Sequence, residues 1–208
     1  MIGSVSESKV DIRSALAPYA THKGVPAAGT TALLVIDMQE FFGEMSAAVA
    51  PNVGELIAAA RLVRMPIFFT RHGHHDLAAD GGVLAQWWDD DLAMVGTPEW
   101  QLLGSLTPQD GDVVIDKERY SAFFGTDLDA MLRDEGITDL VICGVLTNCC
   151  CETTARDAFM RDYRVFVVAD ATATADDDLH LSSLKGLAYS CAIITWTDEV
   201  VADVTAVV

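Results

Sequence analysis

Three cysteines stand in a row, Cys149, Cys150 and Cys151, between the apolar run from Asp139 to Val145 and an amphipathic segment from Cys150 to Arg161. The run reads as a buried strand and the segment as a helix. A thiol is therefore set where unpaired amides and the positive end of a helix dipole converge. Such a position stabilises a thiolate or a developing oxyanion, which is the chemistry of a nucleophilic cysteine. The competing reading is structural: free cysteine is among the most buried residue types, and three small apolar side chains also pack a helix start. Position alone leaves both open.

An acid and a cation join the thiol once the elements around it are laid out. The apolar runs Thr31–Ile36, Pro66–Thr70, Asp112–Ile115, Leu140–Cys143, Val165–Val168 and Ala192–Thr195 read as six buried strands. Helical patterns lie between most of them, at Val53–Val63, Thr126–Asp134, Cys150–Asp162 and Leu179–Tyr189, with apolar residues at three- and four-residue spacing. This alternation predicts a parallel α/β sheet, in which ligands bind beyond the carboxyl ends of the strands. The first run ends in Asp37-Met38-Gln39, the third in Asp116-Lys117-Glu118-Arg119-Tyr120, and the fourth leads through Gly144 to Cys150. Singly, Asp37 reads as a cap, Lys117 as a surface charge and the cysteines as core. Their meeting at one sheet edge favours a nucleophilic site.

The stretch from His72 to Leu106 breaks the rhythm with Gly81-Gly82, Trp87-Trp88, Asp89-Asp90-Asp91 and Gly96-Thr97-Pro98. Long insertions in compact domains are usually functional, so this one is expected to cover a pocket. Residues 1–28 are more weakly patterned and read as an N-terminal arm or short helix against a single domain over 29–208.

Composition narrows the partners. The chain has 208 residues, 51% of them hydrophobic, enough for one domain with a sizeable core. Its formal charge of −18 offers no surplus of cations to replace phosphate counterions, which argues against nucleic acid. Apolar stretches fall short of the roughly 20 residues that span a bilayer, so no membrane partner is expected. The first ten residues lack a basic segment followed by an apolar core, and the expected location is the cytoplasm. Five cysteines, three of them contiguous, do not make a disulfide framework. No glycine-rich turn follows the first strand, which sets a nucleotide-binding Rossmann unit aside.

The same residues resemble the isochorismatase-like cysteine hydrolases, from about Thr31 to Asp198. The resemblance rests on Leu34-Val35-Ile36-Asp37-Met38-Gln39, on Lys117 to Phe123 with Thr126-Asp127-Leu128, on Gly144 to Ala158, and on Asp170-Ala171. It implies a three-layer α/β/α sandwich around a six-stranded parallel sheet in the order 3-2-1-4-5-6, assembled as a homodimer or homotetramer. It places the catalytic acid on Asp37, the lysine on Lys117 and the nucleophile on Cys150, leaving Cys149 and Cys151 as packing residues. It further implies a cis peptide before Leu146, whose amide joins that of Cys150 in an oxyanion hole. The expected reaction is hydrolysis of a linear amide or ureido C–N bond through a thioester.

Two branches of the family compete. Thr147 to Cys150 with Glu152-Thr153-Thr154 and Arg156-Asp157 resembles ureidoacrylate amidohydrolases, whereas Asp157 to Asp162, Val168 to Ala171 and His180 to Lys185 are similar to true isochorismatases, which cleave a vinyl ether. True isochorismatases need no nucleophile, so Cys150 favours the amidase. A catalytically silent scaffold is a third reading, opposed by the intact Asp37, Lys117 and Cys150.

The segment Arg71-His72-Gly73-His74-His75-Asp76 carries a His-x-His pattern that can chelate zinc or iron. Nicotinamidase relatives open their metal site with Asp-x-His, a pattern this segment departs from. The expectation is therefore no metal and no cofactor, with Arg71 or His72 facing substrate and the other histidines solvated. Gln39, Phe41, Phe42, Trp87, Trp88, Tyr120 and Phe123 complete the expected mouth. Arg71 and Arg119 are candidates to recognise a substrate carboxylate.

Overall fold

The computed structural model describes residues 11–206. Six parallel strands, β1 Thr31–Ile36, β2 Ile67–His72, β3 Val113–Lys117, β4 Asp139–Val145, β5 Arg164–Ala173 and β6 Ile193–Thr195, form one sheet in the order β3-β2-β1-β4-β5-β6. This is the expected order, and every run read as a strand overlaps one, three of them beginning a residue early at Pro66, Asp112 and Ala192.

The central strands are buried on both faces, as continuous apolar runs such as Ala32 to Ile36 require. Alternate residues then feed two cores. Leu34, Ile36 and Phe68 pack towards α4 (Leu128–Asp134), α5 (Glu152–Met160) and α6 (Asp177–Ser190). Leu33, Val35 and Phe69 pack towards α2 (Gly43–Leu62) and α7 (Thr197–Thr205). The result is the three-layer α/β/α sandwich. The short α1 (Ile12–Leu16) drives Leu16 into the first core, with Arg13 over the Trp196 ring. Residues 1–10 of the expected arm lie outside the described residues.

Three elements depart from the sequence reading. Helix α2 starts at Gly43 rather than Val53 and runs across Pro51, whose missing N–H is the usual reason to end a helix there. The chain after β4 coils at once, in a wide turn over Thr147–Cys151 that precedes α5, because the Leu146 carbonyl accepts the amides of both Cys149 and Cys151. Helix α7 was not anticipated. Its Val200 and Val204 are buried, and the Thr197 amide and hydroxyl both donate to Asp170, at 2.8 and 2.9 Å.

Two strand contacts set the geometry of the site. Ile36 faces Gly144 across β1 and β4, where a side chain at residue 144 would meet the Ile36 carbonyl oxygen at 2.0 Å and the backbone has φ +114. Only glycine fits there, so the strand carrying Asp37 and the strand leading to Cys150 close on each other without a spacer. On the other side His72 pairs with Lys117 across β2 and β3, which brings the lysine to the same edge.

Candidate active site

At the carboxyl edge of the sheet, Lys117 Nζ donates to Asp37 Oδ2 at 2.7 Å and to the Arg119 carbonyl at 3.0 Å, with both charged side chains fully buried. The other carboxylate oxygen of Asp37 accepts the Thr70 hydroxyl at 2.6 Å, and the Asp37 amide donates back to that hydroxyl at 3.1 Å. Thr70 escaped the sequence reading; its signal was a hydroxyl near the end of β2, the strand next to Asp37. Burial alone would lower the lysine's pKa, but the Asp37 carboxylate and the nearby Cys150 outweigh it and hold Lys117 charged, above its ordinary value.

Cys150 lies beside this pair, 4% exposed. Burial pushes its thiol well above the usual cysteine range; Lys117 pulls it down and the Asp37 carboxylate pushes it further up. The resting group is thus a thiol next to an acceptor. Its amide sits in the first turn after β4, where helical N–H groups lack intrahelical acceptors, and the Val145-Leu146 peptide is cis, as the resemblance implied. Asp37, Lys117 and Cys150 come together, and Leu146 opens the turn that carries Cys150.

The other two cysteines differ from each other. Cys151 is fully buried in the core, as a packing residue should be. Cys149 is only partly buried and lines a groove of about 500 Å3. The insertion forms one wall of that groove through Val83, Leu84, Trp87 and Trp88, on and just after α3 (Gly82–Trp87). Tyr120 and Asn148 face it, and the Trp88 indole donates to the Tyr120 hydroxyl at 2.7 Å. Trp87 is 76% and Trp88 39% exposed. A cleft of about 440 Å3 at the opposite end of the strands, around Gly29, Met65 and Glu135, holds none of the candidate residues.

Several expected mouth residues are placed elsewhere. Gln39 is buried: its Nε2 donates to the carbonyls of His72 and Trp100, and its Oε1 accepts the His72 amide, so it clamps the strand ends. Phe42 packs in the core beneath α2, near the edge-on ring of Phe41. Phe123 is in the opposite core, stacked on Tyr163. Arg71 forms two bonds to Asp116, at 2.7 and 3.0 Å, and lies over the Trp100 ring. Arg119 Nη1 donates to the Asp80 and Glu118 carbonyls, which fastens the insertion to the loop after β3. His72 is buried, and burial first, then Lys117, depresses its pKa to about 3.

Of the remaining histidines, His75 is exposed, but His74 is buried rather than solvated, with Nδ1 2.9 Å from Asp80. His72 Nδ1 and His74 Nε2 both lack hydrogen-bond partners, yet no group of three or more His, Cys, Asp or Glu side chains among the described residues is arranged to hold a metal. No helix among the described residues is long and apolar enough to cross a membrane.

With this geometry in view, the chain matches the isochorismatase domain over residues 31–199 and belongs to that family of hydrolases. It is 39% identical to nicotinamidase 3 of Arabidopsis thaliana over 87% of this chain and 92% of that one. It is 34% identical to the ureidoacrylate amidohydrolase of Pseudomonas syringae pv. syringae, covering 71% and 72% of the two chains. Enterobactin synthase component B of Escherichia coli K12 is 36% identical over 81% of this chain, which spans 61% of that longer protein. Among solved structures, a cysteine hydrolase from Pseudomonas syringae pv. phaseolicola superposes with a TM-score of 0.83 at 30% identity, covering 89% of this chain and 99% of that one.

Proposed function

We propose that the chain is a cysteine-nucleophile amidohydrolase that cleaves a linear amide or ureido C–N bond of a small molecule. The observation that carries this reading is the buried Asp37–Lys117 pair beside the Cys150 thiol, because cleavage of a vinyl ether has no use for a nucleophile at that place.

In this mechanism Asp37 accepts the Cys150 proton as sulfur attacks the substrate carbonyl, and Lys117 balances the charge that moves onto the sulfur. The tetrahedral oxyanion is held by the Leu146 and Cys150 amides, where losing one donor typically costs on the order of 10²–10³ in rate. Asp37 returns the proton to the leaving amine as the C–N bond breaks. A water then gives a proton to Asp37 and adds to the thioester, the acid departs, and the proton goes back to sulfur. Similarity to a nicotinamidase and to a ureidoacrylate amidohydrolase supports the bond class.

The proposal takes the enzyme as a cytoplasmic homodimer or homotetramer, and the exposed Phe124 is a side chain a neighbouring subunit would cover. Its test is release of ammonia from a panel of ureidoacrylate, maleamate, N-carbamoyl amino acids and nicotinamide by wild type and Cys150→Ala. Ammonia lost in the variant supports it. Pyruvate released from isochorismate by both proteins would replace it with vinyl-ether hydrolysis, the other branch of the family resemblance.

A further inference from the structure

Helix α6 reaches into the turn that carries the proposed nucleophile. His180, in the first turn of that helix, sets Nδ1 2.8 Å from the hydroxyl of Thr147, a residue fully shielded from solvent. A hydroxyl so placed needs a protein partner. Ser183, three residues on and on the same helix face, also reaches Thr147, with Oγ 3.3 Å from its carbonyl. The serine has one proton, however, and its 2.6 Å contact with the Glu152 carboxylate claims it. The hold on Thr147 therefore falls to His180.

The direction of that bond follows from the ring's other contacts. Burial lowers the His180 pKa and keeps the imidazole neutral, and its bond to the Ala169 carbonyl places the single proton on Nε2. Nδ1 is then an acceptor, and Thr147 donates. One side of the ring is open, because His180 borders a cleft of about 220 Å3 lined also by Asp170, Asp177 and Trp196. Its orientation rests on the two hydrogen bonds.

The turn needs such a hold. The Leu146 carbonyl accepts the Cys151 amide and the Thr147 carbonyl accepts the Glu152 amide, each five residues on, so Thr147–Cys151 is one residue wider than an α-turn. Turns of this width are rare and gather at functional sites. Relaxing to the four-residue pattern would rotate the residues after Thr147 by about 100° around the axis and swing Cys150 off the Asp37–Lys117 pair.

Resting on the amidohydrolase reading, we propose that His180 is a positioning residue: by accepting the Thr147 hydroxyl it holds the wide turn and keeps Cys150 at Asp37. It touches no reacting atom.

The test measures ammonia release by His180→Ala, Thr147→Val and the double variant, on whichever amide of the same panel wild type hydrolyses. Each single change should lower kcat at least about tenfold while KM stays within about twofold, since a displaced nucleophile slows the chemistry without loosening the substrate. The losses should not add in the double variant, because both changes remove one bond. Imidazole in the medium, admitted through the cleft, should restore His180→Ala and leave Thr147→Val unchanged. Wild-type kcat in either single variant, losses that multiply, or imidazole acting equally on both would overturn the assignment. Thr147→Val, which keeps the residue's shape, carries the test alone if His180→Ala does not fold. If wild type hydrolyses no amide, the catalytic reading fails, and the hold on the turn is judged by hydrogen exchange at the amides of residues 147–151. Faster exchange in both variants upholds it even then; exchange at the wild-type rate refutes it.

Discussion

Lys117 and Asp37 are joined by a 2.7 Å charge-assisted bond with neither side chain exposed to solvent, although they stand on strands separated by β2. Thr70, on that intervening strand, completes the cluster by donating to the second carboxylate oxygen. The pair is consequently a structural tie across the sheet as well as the seat of the proposed proton transfer.

Removing the lysine should therefore act on stability and chemistry together. Lys117→Met leaves the Asp37 carboxylate buried without its cation, a change that typically costs about 3–5 kcal/mol. Urea denaturation should register that loss, and ammonia release should fall to background. A variant of wild-type stability would mean that the ion pair does not form as described.

The cysteines should respond to alkylation in an order set by burial. Cys149 and Cys191 are partly exposed, whereas Cys143, Cys150 and Cys151 are buried, with burial pushing all three thiols well up. Iodoacetamide should mark Cys149 and Cys191 first, as read by peptide mass spectrometry, and activity should track the Cys149 adduct because it fills the groove. Cys149→Ala should then resist inactivation. Labelling of Cys150 ahead of Cys149 would show the nucleophile to be more open than its surroundings indicate.

Stability should weaken as the solution is acidified below neutrality. His72 has an ordinary pKa of 6.5 and a folded value near 3, set first by burial and then by the Lys117 charge. The unfolded chain binds the extra proton, so the stabilisation is fully present above about 6.5 and is lost progressively as pH falls towards 3, at up to about 1.4 kcal/mol per pH unit. His180, also lowered chiefly by burial, acts in the same sense. The measurement is the denaturation midpoint against pH for wild type and His72→Gln. A variant with the wild-type acid slope would assign that slope to other groups.

Arg71→Ala should change stability and leave selectivity alone. The guanidinium is bonded to Asp116 and stacked on Trp100, so its removal should lower stability by about 1 kcal/mol, as for a well-formed but partly exposed pair. The ratio of kcat/KM for carboxylated and neutral amides should stay constant. A shift in that ratio would reinstate Arg71 as a substrate contact.

Gly144→Ala should be severe for a substitution of one methyl group. The added carbon would meet the Ile36 carbonyl oxygen at 2.0 Å, and β1 would have to move, carrying Asp37 away from Cys150. Loss of several kcal/mol in folding, together with loss of activity, is expected. An active, stable variant would require a looser joint between β1 and β4.

The strands and the candidate site cluster were legible because both follow from short-range pattern and topology. Runs such as Leu33 to Ile36 can only be buried strands, and the rule that sites gather at strand carboxyl ends places Asp37, Lys117 and Cys150 together. The mouth was less legible. Gln39, Phe42 and Phe123 lie within six positions of candidate site residues, yet side chains alternate between faces and turns redirect them, so residues close in sequence to a site often serve the core. Arg71 reads as a free cation until the register of β2 against β3 sets Asp116 beside it. Helix α7, whose buried Val200 and Val204 stand among acidic residues, gave a weak pattern, and its anchor Asp170 lies 27 residues away.

Arg119 links two parts of the molecule that serve different ends. Its carbonyl receives Lys117 Nζ, while its guanidinium holds the Asp80 carbonyl just ahead of the groove's aromatic wall. The groove wall and the proposed catalytic lysine are therefore tied through one residue. Transplanting the insertion from a relative would disturb the lysine's hydrogen bonding unless residue 119 came with it, so changes of substrate range along this lineage are expected to pass through paired replacements rather than through the loop alone.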